Sequence, residues 1–233
     1  MTAQMSSWEY SHPTPKAHPI ILTNGRADCF RQMRSSLVNV IGIEPGTVID
    51  DSGSPDYRDW VRAQMPGWDV VPVSYSGPQG YSAAMQYLWG VAAGYEYFFL
   101  IEDDFVFERP VFTSVLVELL IEHPHLAQLV LLRQPWFGNE VEHGGLLEAI
   151  AARGERVVYR PEWVEQRATW SCNPTVIRGG WWVRDHPWPY GAGSEYRFGR
   201  ELFARDANAV TAWYGDGKTP WVRHVGERSG FGH

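Results

Sequence analysis

Cysteine is scarce in this sequence: 233 residues contain two, Cys29 and Cys172. Two thiols so far apart give none of the short spacings of a cysteine zinc site. Both are expected to be reduced, buried, small side chains, without a structural disulfide. Long apolar runs are missing too. No stretch approaches the ~20 residues that cross a bilayer. Met1 to Pro19 is polar and rich in Pro and His, with no apolar signal core. A soluble, cytoplasmic protein without a signal peptide or transmembrane segment is the expectation. There is no basic cluster either: 20 Lys and Arg stand against 27 Asp and Glu, a formal net charge of −7. That argues against a broad DNA-binding surface, while a nucleic-acid substrate held by a few local contacts stays open. Internal repeats and long low-complexity segments are absent.

What is present is an ordinary apolar fraction, 44%, ample for a sizeable core, and 12 Trp residues. The length suits one large α/β domain. The stretch that organises the chain is Tyr97-Phe98-Phe99-Leu100-Ile101-Glu102-Asp103-Asp104-Phe105. Its unbroken apolar run reads as a strand buried on both faces, as in parallel sheets. Three carboxylates at its end repel one another, and burial raises their pKa values. A hard divalent cation such as Mg²⁺ or Mn²⁺ relieves both problems; a solvated acidic loop is the bland alternative. In open α/β sheets ligands sit beyond the carboxyl ends of strands, where these acids fall.

Along the chain, residues 1–18 read as an N-terminal arm. Pro19 to Thr23 is a strand closed by Asn24-Gly25, and Ala27 to Ile41 an amphipathic helix through Phe30, Met33, Leu37 and Val40. Thr47 to Ile49 is a strand ending in Asp50-Asp51-Ser52-Gly53. Ser54 caps and Pro55 opens the next helix. Asp69 to Val73 is a third strand, Gly80 to Gly94 a helix, and the organising stretch a fourth strand. This β-α-β-α-β-α-β order predicts a Rossmann-like, mostly parallel sheet flanked by helices. Pro110 opens another helix, and Leu129 to Leu132 is a buried strand. The second half is less regular: a loop from Gln134 to Glu142, a helix from Gly145 to Arg153, and a strand at Arg156 to Tyr159. Ser171 to Ile177 pairs with the sheet, Asp185 to Gly193 is a long loop, and Glu195 to Asp206 a helix.

Four features together resemble the GT-A-fold glycosyltransferases, family 2 type. They are the strand and turn from Ile20 to Gly25; Asp50-Asp51-Ser52-Gly53; the helix from Gly80 leading to Tyr97; and Glu102-Asp103-Asp104 in the place of that family's Asp-x-Asp motif. The resemblance covers Pro19 to about Phe107 and thins after Leu132. It implies a single GT-A domain over 19–233, with a nucleotide-sugar half at 19–133 and an irregular acceptor half and tail at 134–233. It also implies a metal-dependent transferase that takes a sugar from a nucleotide-diphosphate donor, UDP-linked by family habit, to an acceptor hydroxyl with inversion.

The resemblance carries roles residue by residue. Asp104 and Glu102 would hold a divalent metal (Mn²⁺ or Mg²⁺), with His224 completing the set or else an exposed histidine of the tail. Asp103 would meet donor ribose or sugar hydroxyls, or else be a solvated carboxylate. Asp51 would accept from base or ribose, with helix capping as the alternative and Asp50 able to exchange roles. Thr23 and Arg26 would meet base or phosphates, with a surface side chain the alternative for Arg26, and Gln79 would bind nucleotide or cap a helix. Glu195, matched by position in Gly193-Ser194-Glu195, would be the general base, or a first-turn acid favoured by the helix dipole. Trp136, Trp170, Trp181 and Trp182 are candidate sugar platforms, while His143 and His233 belong to no constellation. Two other readings stand beside this one. A sugar-nucleotidyltransferase needs a longer Gly-rich basic loop than Asn24-Gly25-Arg26, and a non-catalytic carbohydrate- or nucleotide-binding protein would have little use for the retained acids. The acceptor is open: protein side chain, glycan, lipid-linked sugar, small molecule or modified nucleic-acid base.

Overall fold

A computed structural model describes residues 15–226. His233 and all but the last few residues of the expected arm lie outside them. In chain order the elements begin with β1 (Ala17–Thr23), α1 (Ala27–Ser36) and a 3₁₀ turn (Leu37–Asn39). Next come β2 (Val40–Ile41), β3 (Thr47–Asp50), α2 (Pro55–Gln64), β4 (Asp69–Pro72), α3 (Tyr81–Ala92) and β5 (Tyr97–Glu102). The middle contains β6 (Phe105–Phe107), β7 (Val111–Phe112), α4 (Thr113–Glu122), β8 (Leu126–Leu131), α5 (Gly138–His143) and α6 (Leu146–Ala152). The chain continues with β9 (Val157–Tyr159), β10 (Trp163–Gln166), β11 (Thr175–Arg178), α7 (Trp181–Asp185), α8 (Ser194–Arg205), β12 (Val210–Tyr214) and β13 (Val222–His224).

Nine strands form one sheet in the order β4-β3-β1-β5-β11-β8-β12-β10-β9. The first four are mutually parallel, and only β11 and β10 run against the rest. The fold is therefore the expected Rossmann-like α/β sheet, mostly parallel in strand direction. Side chains alternate across it, as the two-residue period of a strand requires. Ile21, Phe99 and Ile101 pack on one face with Phe30, Met33, Val61 and Leu116 from α1, α2 and α4. Ile20, Leu22, Phe98 and Leu100 pack on the other with Met85, Leu88, Trp170 and Phe198. Burying each such side chain is worth about 1.5–3 kcal/mol, and β5 has five in a row. That is why its sequence shows a run rather than an alternation.

Local chemistry starts α2 where the sequence suggested. Ser54 Oγ accepts the Tyr57 N–H at 3.2 Å, and Pro55 occupies the first turn of α2. Ala17 and His18, assigned to the arm, already pair with Tyr97 and Phe98. The helix expected to reach Ile41 stops at Ser36 because its tail is drawn across to β6. Ser36 Oγ accepts the Phe107 N–H, Asn39 Nδ2 donates to the Phe107 carbonyl, and Val40 and Ile41 pair with Val111 and Phe112. Those same residues delay the helix expected from Pro110 until Thr113. The loop expected over 134–142 contains α5, and Trp181 and Trp182 open the short helix α7. Among the described residues no helix is long and apolar enough to cross a membrane.

Candidate functional site

Register brings the acids together. Leu22 of β1 lies beside Glu102 of β5, and Thr23 lies beside Asp50 of β3. The backbone continues the pairing past the strands: Asp103 N–H donates to the Leu22 carbonyl at 3.0 Å and Asp51 N–H to the Thr23 carbonyl at 2.8 Å. The turn after β1, the Asp50-Asp51 turn and Glu102-Asp103-Asp104 thus share one end of the sheet. The C-terminal segment closes over them. His224 of β13 pairs with Phe105 of β6, and Val225 N–H donates to the Asp104 carbonyl at 2.8 Å.

Arg26 is the cation of this cluster. One Nη donates to Asp104 Oδ2 at 2.5 Å and the other to Asp103 Oδ1. Asp103 is fully buried, and its second oxygen accepts the Thr23 hydroxyl at 2.6 Å. Thr23 is itself buried and 2.6 Å from the Tyr57 hydroxyl, which completes an internal chain. As they stand, Thr23 and Asp103 hold Arg26 from within instead of facing a donor. Burial pushes the Asp103 carboxyl up to about 6, against the pull of Arg26 and Thr23. Asp104 goes the other way. Burial opposes its charge, but His224 Nε2 at 3.1 Å and Arg26 outweigh that and hold its carboxyl below the usual range. Burial, then the neighbouring Asp104 and Glu195 charges, push Glu102 well above the usual range.

Asp51 has both oxygens occupied by the loop that opens α3: they accept the N–H groups of Gln79 and Gly80, each at 2.8 Å. The Gln79 side chain turns back to the Gly77 carbonyl. This loop packs so tightly that a Cβ on Gly53 would lie 2.5 Å from Gly77 Cα. Asp51 therefore takes the capping alternative in this arrangement, and Asp50 pairs with buried Arg58 at 3.0 Å. Glu195, in the first turn of α8, accepts the Cys172 N–H at 2.8 Å, and burial raises its pKa. Glu195 and Glu102 both act electrostatically on Tyr81 and Cys172, and Glu195 acts on Glu102 itself, so the expected base and the expected metal ligand are electrostatic neighbours.

Two orphaned oxygens bear on the fit of a divalent ion. Asp104 Oδ1 and Glu102 Oε1 are buried and have no hydrogen-bond partner; His224 Nδ1 has none either, but it is Nε2 that the ring turns to Asp104, at 3.1 Å. Hard oxygens with an imidazole suit Mn²⁺, and unpaired buried acceptors are costly without a cation. Two carboxylates suit an ion whose remaining positions go to water and substrate phosphates; among the described residues no three acidic, His or Cys side chains converge into a ready-made cluster. The sequence here reads Glu-Asp-Asp, not Asp-x-Asp.

Several site residues escaped the sequence. Tyr81 looked like part of the apolar stripe of α3, and Tyr57 like that of α2. Cys172 is free and buried as expected, but its backbone holds Glu195; Cys29 is also free and only partly buried. Gln134 clamps His224 by two backbone bonds of 2.9 Å, and Trp136 meets the His224 ring edge-on at 4.2 Å. Of the four Trp platforms, Trp136 lies beside the acids. Trp170 and Trp182 are core. Trp181 lines a cavity of about 490 Å³ with Tyr97 and Arg178, at the opposite end of β5. His143 is on the surface.

No family model and no curated protein sequence matches this chain. Solved structures do. The mannosyltransferase PcManGT from Pyrobaculum calidifontis, in complex with GDP-Man and Mn²⁺, aligns over 93% of this chain and 59% of its own, at 12% identity and TM-score 0.60. GalNAc-T7 with UDP, GalNAc and Mn²⁺ aligns over 94% of this chain and 45% of its own, at 9% identity and TM-score 0.62. S. aureus TarS 1-349 in complex with UDP-GlcNAc aligns over 92% and 60%, at 12% identity and TM-score 0.57. The chain thus spans roughly half the length of the structures it resembles, and nearly all of it is the shared part. Its fold is that of the GT-A glycosyltransferases.

Proposed function

We propose that this chain is a metal-dependent glycosyltransferase that moves a sugar from a nucleotide-diphosphate donor, UDP-linked, to an acceptor hydroxyl with inversion. The observation that carries the reading is that Glu102 Oε1 and Asp104 Oδ1 are both buried without a hydrogen-bond partner, with Glu195 near enough to act on Glu102 electrostatically. Support comes from the solved GT-A structures that hold UDP or GDP-Man with Mn²⁺.

Asp104, Glu102 and His224 would hold the cation. When bound, it supplies Lewis-acid stabilisation of the charge that develops on the leaving diphosphate. Asp51 and Gln79 shape the nucleotide side through the loop that opens α3, and Asp103 and Thr23 orient Arg26 toward the phosphates. Glu195 takes the proton from the attacking hydroxyl. A buried carboxylate with a raised pKa is a stronger base than an exposed one, and the Cys172 N–H fixes its orientation. Trp136 offers an aromatic face beside His224 for the acceptor sugar.

A panel of nucleotide sugars with and without Mn²⁺ tests this, read by thermal shift and slow donor hydrolysis. Stabilisation by a UDP-sugar in Mn²⁺ and release of UDP are expected. A response to no nucleotide overturns the proposal, and release of UTP and sugar phosphate only when pyrophosphate is added, with no UDP formed, moves it to a nucleotidyltransferase.

A further inference from the structure

Building on the nucleotide-sugar reading, we infer that Arg26 is the resident counter-ion of the acid cluster. It gives up Asp104 to a divalent cation when a nucleotide diphosphate arrives with that cation.

The guanidinium bridges Asp103 Oδ1 and Asp104 Oδ2, and its Nε has no partner. The two acids hold it unequally. Thr23 backs Asp103 and His224 Nε2 backs Asp104, but only Asp104 keeps an oxygen, Oδ1, buried and unpaired beside the same guanidinium. The Gly226 backbone seals one side: a Cβ there would lie 2.4 Å from Asp104 Oδ2 and 3.2 Å from Arg26 Nη1. The Arg26 side chain keeps about a third of its surface in solvent, so its open side is where it can move.

Charge then couples the ligands. Two carboxylates and one guanidinium leave the trio at −1. A divalent ion arriving alone would share Asp104 with a fixed positive group, at a separation where like charges repel strongly. A diphosphate carrying about two negative charges cancels the ion and offers Arg26 the bidentate partner that guanidinium groups favour. Nucleotide and cation must therefore favour each other, by the same factor in both directions.

The test is Mn²⁺ binding followed by electron paramagnetic resonance of the free ion, which needs no turnover. Wild type should bind Mn²⁺ weakly alone and at least tenfold more tightly with saturating UDP. Arg26→Gln keeps a hydrogen-bonding side chain without the charge, and should bind Mn²⁺ alone at least tenfold more tightly than wild type. Arg26→Lys keeps the charge and should show no such gain. If Arg26→Gln melts below the assay temperature, the Arg26→Gln/Asp103→Asn double variant removes one charge of each sign and frees Asp104, and should still bind Mn²⁺ alone more tightly than wild type, by less than Arg26→Gln. An Arg26→Gln or double variant that folds and binds Mn²⁺ no better than wild type overturns the inference, even if UDP binds normally. A gain in Arg26→Gln with no UDP response in wild type upholds the counter-ion and removes the nucleotide reading.

Discussion

Two glycine-to-alanine changes should move stability in opposite directions, and the difference probes the closed end of the sheet. Gly226 lies against the acid cluster. A Cβ placed on it would stand 2.4 Å from Asp104 Oδ2 and 3.2 Å from both Asp104 Cγ and Arg26 Nη1. Comfortable contact distances are about 3.5 Å, so about 1 Å must be found. Asp104 has little room to give it, being buried and held by Arg26 and His224. Overpacking of this kind costs about 1–3 kcal/mol. In a chain of this size, that lowers Tm by roughly 2–12 °C. Displacing Asp104 by about 1 Å should also reduce turnover about 100-fold. Gly90 is the control. It lies exposed within α3 and its added Cβ would meet nothing within 4 Å. Gly90→Ala relieves the backbone entropy that glycine costs a helix and should stabilise by about 0.5–1 kcal/mol, raising Tm by roughly 1–4 °C. Both are measured by calorimetry, and nucleotide-dependent Mn²⁺ binding is then compared. Gly226→Ala with wild-type Tm and wild-type Mn²⁺–UDP affinity would refute the placement of the C-terminal segment on Asp104.

Two further substitutions address the titrating acids. Glu195→Gln should leave Mn²⁺–UDP binding within about twofold of wild type and lower transfer by about 10²–10⁴-fold, the usual worth of a general base. Because burial raises the Glu195 pKa, the wild-type rate should fall with decreasing pH before an exposed carboxylate would protonate; unaffected transfer in the variant rejects Glu195 as the base. Asp103 has a folded pKa of about 6 against an ordinary 3.8. The native state therefore binds more protons than the unfolded state between those values, and stability falls as pH rises from about 4 to about 6, by about 3 kcal/mol at most. Asp103→Asn should flatten that part of a urea-unfolding pH profile; a slope equal to wild type would mean that Asp103 ionises at its ordinary value.

Where the sequence was legible, local signals and place in the fold coincided. In an open parallel sheet candidate ligand-binding side chains follow the strands, so Thr23, Arg26, Asp51 and Glu102 to Asp104 could be picked out by reading to the end of each apolar run. Those residues do meet, through the register of β1 with β3 and β5. What no local pattern conveys is how carboxylates divide once they meet. Asp50 and Asp51 are adjacent and chemically alike, yet one pairs with Arg58 and the other caps the Gln79-Gly80 turn. The division depends on which donor folds back from another element. The same holds for Asp103 and Asp104, which the sequence offered as a donor contact and a metal ligand. Thr23 behind one and His224 beside the other give them unlike surroundings and opposite pKa shifts. His224 could be matched only by position, because β13 is three residues long and paired with an equally short strand. The clamp by Gln134 that fixes it spans 90 residues of sequence. Short strands and distant side-chain clamps leave no periodicity to read. The half of the site built on long parallel strands was therefore visible in advance, and the half built on β13 and the 133–140 segment required the fold.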